Sequence, residues 1–397
     1  MKASQTSMSI VSTSSSSSSL PWKQQPWSST INQTDHDGVV GMYSYQECDR
    51  ESPVEKQAIR GAVLSVSDTW IAPSFGYNPE YTDEEIVRLD TPIDSYQFFF
   101  SEEGTLLRLF HVAGNDKWYL ATHRKLDAFQ SRWGNDQSFG DLFVDALAVP
   151  FPDIPRENRL SHLTDTLSRD SVYVFLVKSH YRWICTPPES PQVIHVGTFM
   201  PGGDEGAGES QSHHPFRFDH TQPLAGFPQP KPVTFASWEE VSQTVRNLDP
   251  VTYQGVIGFT PQQGAAIKVL NSKYQEYTTI RGNESSLLFR YLSVRMDASI
   301  VFALLQLYPE KQTWFLAVET ALMKIAFALH VAYINRYVKK QYVVVPSREY
   351  QIVKALHAHY MADRQNHRIT LPVVHAILHQ HPSILHGLIK DHWKSLH

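Results

Sequence analysis

The apolar residues of this chain change period part-way along it. Between about Ile59 and Lys268 they fall in short alternating runs, and beyond about residue 286 they recur at helical spacing. Alternation puts every second side chain on one face of a strand, whereas spacings of three and four line one face of a helix, so one packed layer cannot satisfy both. The chain is therefore expected to be an α+β domain followed by an all-α domain.

The runs 62–66, 97–100, 105–111, 117–122, 172–178, 182–185 and 193–199 are rich in β-branched and aromatic residues and read as strands. The pair 106–110 and 118–121, joined by Ala113-Gly114-Asn115-Asp116, reads as a hairpin. After a helical stretch at 238–248 come two more strand candidates, 255–259 and 266–270. The later helices are expected at 298–307, 311–338, 347–363, 371–379 and 383–396, with Ser347 and Thr370 as N-caps and Pro372 and Pro382 early enough to be tolerated.

The serine run Ser14 to Ser19 sits in a tract with too little apolar surface to offset its chain entropy, so residues 1–40 are expected to form a disordered tail. The tract lacks the apolar core of a signal peptide, and Lys2 and Lys23 make a weak transit peptide. The sheet domain then covers 41–285, with a Gly-, Pro- and His-rich surface insertion at 201–232, and the helical domain covers 286–397. In the apolar stretch 314–334, Glu319 and Lys324 would each cost roughly 2.5–3.5 kcal/mol in hydrocarbon, which argues for a buried helix and no membrane partner. Two cysteines, Cys48 and Cys185, make no disulfide framework and suit a reducing compartment, so cytoplasm or nucleus is the expected location. The oligomeric state is not legible.

The net charge of −5 is uneven. Residues 297–397 hold eleven Lys/Arg against six Asp/Glu, a net of +5, which leaves −10 for the remainder. A basic C-terminal part suits a phosphate backbone, and solvated helix faces account for the charge equally well.

Several weak motifs recur in a specific order. Arg60-Gly61 opens an apolar strand; Ser101-Glu102-Glu103-Gly104-Thr105 and the hairpin follow, ending at Thr122-His123-Arg124-Lys125-Leu126-Asp127. Then come Tyr173-Val174-Phe175-Leu176, Gln254-Gly255-Val256-Ile257 and Ile267-Lys268-Val269-Leu270. Over about residues 58–275 this order resembles the covalent nucleotidyltransferases, in particular the RNA ligases of T-even phages and RNA-ligase-like proteins of large DNA viruses. That resemblance implies a ligase adenylation-type domain of antiparallel sheets with helices, ATP and Mg²⁺ or Mn²⁺ as cofactors, and RNA as partner, with the basic C-terminal domain as a candidate contact. In such enzymes a neutral lysine attacks the α-phosphate of ATP, carboxylates hold a divalent metal, and a closing lysine strand neutralises developing phosphate charge. Arg60, Glu103, Gly104, Thr105, Gln254, Gly255 and Lys268 would contact the nucleotide, and Glu103 the metal.

The sequence departs from that pattern at four places. Ser101 stands where the nucleophilic lysine belongs, Leu176 replaces a metal carboxylate, Gln254 replaces a glutamate, and Leu270 replaces the second lysine of the last motif. A second register places Lys125-Leu126-Asp127-Ala128 on the nucleophile motif, which would make Lys125 and Asp127 catalytic, or would let Lys125 reach the vacated pocket from outside it. The ordinary reading of Lys125 is a charged residue following a strand. Two functions are carried: RNA-end ligation through a lysyl-AMP intermediate, and a catalytically inactive ligase-fold protein that binds nucleotide or RNA. Guanylyl transfer fits less well, because helices rather than a basic β domain follow Lys268.

Other constellations are weaker. His375 and His379 lie four apart, a zinc-compatible spacing, but no acid follows His375. His213, His214 and His220 fall in the insertion and are expected to be solvated. The run from Gly202 to Gly208 lacks the Gly-Lys-Ser/Thr of a phosphate loop. Trp118, Trp133, Trp183 and Phe98 to Phe100 could stack bases, although aromatics on strands more often fill cores.

Overall fold

The structure is a computed structural model and describes residues 21–134, 136–202, 215–260 and 266–395. Its strands in chain order begin β1 (Ile31–His36), β2 (Val40–Tyr45), β3 (Arg60–Ser65), β4 (Trp70–Ala72), β5 (Glu80–Thr82), β6 (Gln97–Ser101) and β7 (Thr105–Val112). They continue β8 (Lys117–Ala121), β9 (Val172–Lys178), β10 (Gln192–Pro201), β11 (Phe216–Asp219), β12 (Pro232–Val233), β13 (Gly255–Phe259) and β14 (Ala266–Leu270). Helices α1 (Val54–Gln57), α2 (Phe139–Ala146), α3 (Arg159–Thr164) and α4 (Trp238–Asn247) are interspersed with them. From there the chain is helical: α5 (Ser272–Arg281), α6 (Leu287–Val294), α7 (Ala298–Leu307), α8 (Gln312–Tyr333), α9 (Ser347–Ala362), α10 (Leu371–His379) and α11 (Pro382–Lys394).

Three sheets organise the first part, in the orders β1-β2-β3-β4, β11-β10-β9-β7-β8 and β12-β6-β13-β14-β5. Their pairings are antiparallel except for β14 with β5. Alternation explains which side of each sheet is covered. Leu107 and Leu109 of β7 point with Phe175 toward α2, where Phe143 and Leu142 meet them. Phe110 and Val112 of the same strand point the other way, into a cluster with Val63, Val174 and Phe259 that joins all three sheets. On the third sheet, Phe98, Val256, Ile267 and Val269 bury against Trp238, Val241 and Val245 of α4. The second and third sheets thus face each other across a gap, and their outer faces are closed by helices.

The α+β sheet domain with a helical C-terminal part is what the structure has. Strands β9, β13 and β14 and helices α7 and α10 coincide with the expected segments. The expected hairpin forms, with Phe110 opposite Tyr119. Side-chain caps start the later helices: Asn271 accepts from Tyr274 N–H at 2.9 Å, and Asp297 accepts from Ser299 N–H at 3.0 Å. Thr370 is an N-cap position, whereas Ser347 is already the first residue of α9, after Pro346.

Four expectations need correcting. Residues 21–40 do not belong to a disordered tail: Trp22, Trp27 and Ile31 pack on Ile59, Ala62 and Leu64, enough apolar surface to fix two short turns and β1. Residues 1–20, with the serine run, lie outside the described residues. Segment 182–185 forms no strand, because the N–H groups of Ile184 and Cys185 are taken by the Glu103 carboxylate and not by a neighbouring strand. The 201–232 stretch is not purely a surface insertion: Phe216–Asp219 pairs with the end of β10, Phe218 is buried, and the half-buried His220 lies against Phe218 and Phe259. His213, His214 and all but the first glycine of the Gly202 to Gly208 run lie outside the described residues.

The fourth concerns α8. Its segment is long and apolar enough to cross a membrane by composition. One face, from Phe315 through Leu322 to Leu329, is the centre of the helical core, but Leu316, Met323 and Phe327 of the opposite face are more than half exposed. The expectation of a buried helix holds for one side only. The helical core also takes in Ile184, Leu270 and Tyr274, so helices and sheets share a continuous boundary.

Candidate functional site

The gap between the second and third sheets is a cleft of about 730 Å³, inside the range of small-ligand sites. Its floor is apolar and aromatic: Phe75 and Phe259 (ring centroids 5.3 Å apart), Ile257 from β13, and Leu106 and Leu176 from β7 and β9. Its cationic side chains are Arg60 from β3, Arg124 and Arg132 from the segment after β8, and Lys268 from β14. An apolar, aromatic floor lined by several cationic side chains suits a base and its phosphates.

Glycines bring the walls together. Gly61, with φ +71°, runs so close to His123 that a Cβ would lie 2.8 Å from the His123 carbonyl oxygen. This approach brings Arg60 and the end of β8 to one rim. At Gly104 a Cβ would lie 2.7 Å from the Val177 carbonyl, and at Gly255 only 1.9 Å from that of Val269. Gly255 sits opposite both Ser101 and Leu270, so the β6, β13 and β14 segments are held at van der Waals distance. The Gln254 N–H donates to the Ser101 carbonyl at 2.9 Å, and the Ser101 hydroxyl donates to Gln254 Oε1 at 3.4 Å. The segments around Gly104, Gly255 and Lys268 therefore converge, and Gly104, Thr105, Gln254 and Lys268 all line the cleft; Gly255 lies just behind it.

Lys268 is opposite Ile257 across β13 and next to Glu80 across β5. Burial lowers the proton affinity of its amine; Glu80, with Oε1 3.8 Å from Nζ, opposes that shift, and the charge of Arg60 adds to it. Under the rim, Arg108 is fully buried with its guanidinium donating to the carbonyls of Pro73 (2.8 Å) and Thr122 (3.1 Å), and burial lowers its pKa to about 9. Burial first, and then the charges of Arg60 and Arg108, hold the His123 pKa well below the ordinary histidine value, and its buried Nε2 has no partner among the described residues. Sequence reasoning missed Arg108 and His123; their signal, charged residues in an alternating run, is common on solvated strand faces.

Glu103 points away from this cleft. Its Oε2 accepts from Ile184 N–H (3.1 Å) and Cys185 N–H (3.0 Å), and its Oε1 accepts from the Tyr274 hydroxyl at 2.9 Å. Burial raises its carboxyl pKa despite those donors, and burial followed by the Glu103 charge pushes the Cys185 thiol up to about 12. A carboxylate with both oxygens engaged by donors does not fit a metal ligand. Glu102 is paired with Lys178 and Glu80 with Lys268, and among the described residues no group of three or more His, Cys, Asp or Glu is placed to hold a metal.

Lys125 and Asp127 are not brought to the cleft. The Thr122 hydroxyl accepts from the N–H groups of Arg124 (3.1 Å) and Lys125 (3.0 Å). This turn leaves Arg124 lining the cleft and places Lys125 Nζ 3.8 Å from Asp35 Oδ1, half exposed. The Asp127 carboxylate accepts from Phe129 N–H at 2.8 Å and caps a short turn.

No family model matches the sequence. The chain is 28% identical over 315 residues to the immediate-early protein ICP-46 homologue of invertebrate iridescent virus 3, covering 76% of this chain and 64% of that protein. It is 28% identical over 368 residues to the corresponding protein of invertebrate iridescent virus 6, covering 86% and 78%. The chain thus spans less than two thirds of the first of these relatives. Among solved structures it is similar to a protein assigned as an ATP-dependent DNA ligase from Aquifex aeolicus (TM-score 0.37, 11% identity, 74% and 77% of the two chains). It is also similar to an archaeal ATP-dependent RNA ligase (TM-score 0.34, 12% identity, 66% and 63%).

Proposed function

We propose that this chain is an ATP-dependent, RNA-ligase-like nucleotidyltransferase whose acceptor amine is Lys268. The observation that carries the reading is the position of that side chain. Among the described residues Lys268 is the one lysine lining the cleft, and burial favours its neutral, nucleophilic form. The aromatic floor receives the base, while Arg60, Arg124 and Arg132 neutralise the phosphates.

In the first half-reaction the Lys268 nitrogen attacks the α-phosphorus. A nitrogen–phosphorus bond forms, the bond from phosphorus to the β-phosphate bridging oxygen breaks, and pyrophosphate leaves. The proton lost by the amine passes to Glu80, the carboxylate nearest to it. A 5′-phosphate oxygen of an RNA end then attacks the adenylate phosphorus, the nitrogen–phosphorus bond breaks, and the Lys268 amine takes back its proton from Glu80. A 3′-hydroxyl next attacks the 5′-phosphorus, losing its proton to solvent as a phosphodiester forms and AMP leaves. Among the described residues the side chains do not form a metal clamp.

The test is incubation of the purified chain with α-labelled ATP, with Mg²⁺ or Mn²⁺ and with chelator, followed by denaturation. Label that survives denaturation in the wild type and is absent from Lys268→Ala supports the reading. Reversible ATP binding with no label retained on the wild-type protein overturns it and leaves a nucleotide-binding protein without transfer chemistry.

A further inference from the structure

A second hollow, of about 630 Å³, opens on the far side of the turn between β6 and β7, between the sheets and the helices. Gly104, Thr105, Trp133, Phe139 and Gln254 line both it and the cleft, so the two cavities share one wall. We infer that this hollow binds a single-stranded polynucleotide and leads its end to the cleft. The inference rests on the nucleotidyltransferase reading for its direction, but its residues are separate from Lys268.

Four tryptophans of the nine in the chain line the hollow. Trp133 and Trp183 come from the sheet side with ring centroids 6.4 Å apart, and Trp314 and Trp393 come from α8 and α11, also 6.4 Å apart. Trp133 is 46% exposed although large and apolar, and an exposed indole lining a cavity can serve as a stacking platform. Arg281 already lies over the Trp183 ring, 3.8 Å from its centroid. Two aromatic pairs on opposite walls can hold successive bases whatever their identity, because every base offers a π-face.

The charges favour a backbone of phosphates over an uncharged ligand. Lys178, Arg182, Arg281, Lys311 and Lys390 line the hollow, and Glu103 is its one acidic lining residue among the described residues. The Glu103 carboxylate is spent on three donors, and the first two cations are paired, Lys178 with Glu102 and Arg182 with Glu310. Lys311 and Lys390 form no ion pair among the described residues. They line its helical side, one in the turn before α8 and one on α11. Aromatic pairs interleaved with unpaired lysines match a strand and do not match a folded duplex, whose bases are stacked inside.

The probe is a short fluorescent single-stranded RNA with a 5′-phosphate, titrated against the full chain by anisotropy at several salt concentrations. Wild-type protein is expected to bind, and oligonucleotide should quench tryptophan fluorescence. Lys311→Gln with Lys390→Gln should weaken binding about tenfold and reduce the salt slope by about 1.4, roughly 0.7 for each lysine–phosphate pairing removed. Trp133→Ala should weaken binding and lower the quenching.

The lysine pair lies outside the cleft, so the same double variant should still take adenylate label from ATP. If wild type takes no label but the double variant loses RNA binding, the nucleotidyltransferase reading fails and the groove stands. An unchanged affinity and salt slope in the double variant overturn the groove. So does displacement of RNA by polyglutamate at equal charge concentration, since that would make the hollow a site for acidic peptides.

Discussion

The Tyr274 hydroxyl donates to Glu103 Oε1 at 2.9 Å, tying the turn between β6 and β7 to the first turn of α5. The same carboxylate holds two backbone N–H groups of segment 184–185. One acidic side chain thus fixes the wall shared by the cleft and the hollow.

Replacing it should therefore be costly. Glu103→Ala leaves the N–H groups of Ile184 and Cys185 without their acceptor, and unsatisfied buried donors cost about 1–3 kcal/mol each. A loss of about 2–6 kcal/mol is expected from urea unfolding. The pH dependence has a definite sign. The Glu103 carboxyl pKa is raised in the folded state, so its contribution is fully present below the unfolded value and is lost as pH rises through the folded one. Glu103→Gln should flatten the stability curve on that rising side; an unchanged curve would show that Glu103 is not the group responsible.

Gly255→Ala should be among the most destabilising single changes. The new Cβ would lie 1.9 Å from the Val269 carbonyl oxygen, a backbone atom that cannot move without parting β13 from β14. A loss of at least about 3 kcal/mol is expected, in the upper range for point substitutions. Gly38, whose Cβ would meet nothing within 4 Å, supplies the control, though its φ of +89° keeps some strain. Urea midpoints of both variants decide the point.

His195 gives an acid-side prediction of the opposite kind. It is 1% exposed on β10, its Nε2 lies 3.1 Å from the Thr198 hydroxyl, and burial lowers its pKa to about 4. Below the ordinary histidine value the unfolded chain takes up a proton that the folded one refuses, so stability falls as pH drops from about 6.5 toward 4. The contribution is about 3 kcal/mol across that window. Denaturant titrations at several pH values should show this decline, reduced in His195→Asn.

Lys125→Ala removes only a half-exposed pairing with Asp35 at 3.8 Å. Stability should change by less than about 0.5 kcal/mol, and adenylate labelling should persist. Thermal unfolding and labelling on the same preparation check both.

The division into sheets and helices was legible because period-two and helical spacings survive averaging along a sequence. Strands β9, β13 and β14 are examples, and the convergence of Gly104, Gly255 and Lys268 followed from motif order. What was not legible depends on distant partners or on single turns. The hydrogen-bond partners of Glu103 are 81, 82 and 171 residues away along the chain, so nothing near it reveals that its oxygens are occupied. The direction of Lys125 hangs on one turn: the Thr122 hydroxyl reverses the chain, and alternation no longer tells which of Arg124 and Lys125 faces inward. The ordered 21–40 segment was hidden because Trp22 and Trp27 are two apolar residues in a polar stretch, and their packing site on β3 lies elsewhere.

The position of the acceptor amine is tested most directly by mapping the adduct. The chain is incubated with ATP, digested under conditions that preserve phosphoramidates, and sequenced by mass spectrometry. The account predicts one adenylate, on the peptide carrying Lys268; an adenylate on Lys125 instead, or none on any lysine, would contradict it.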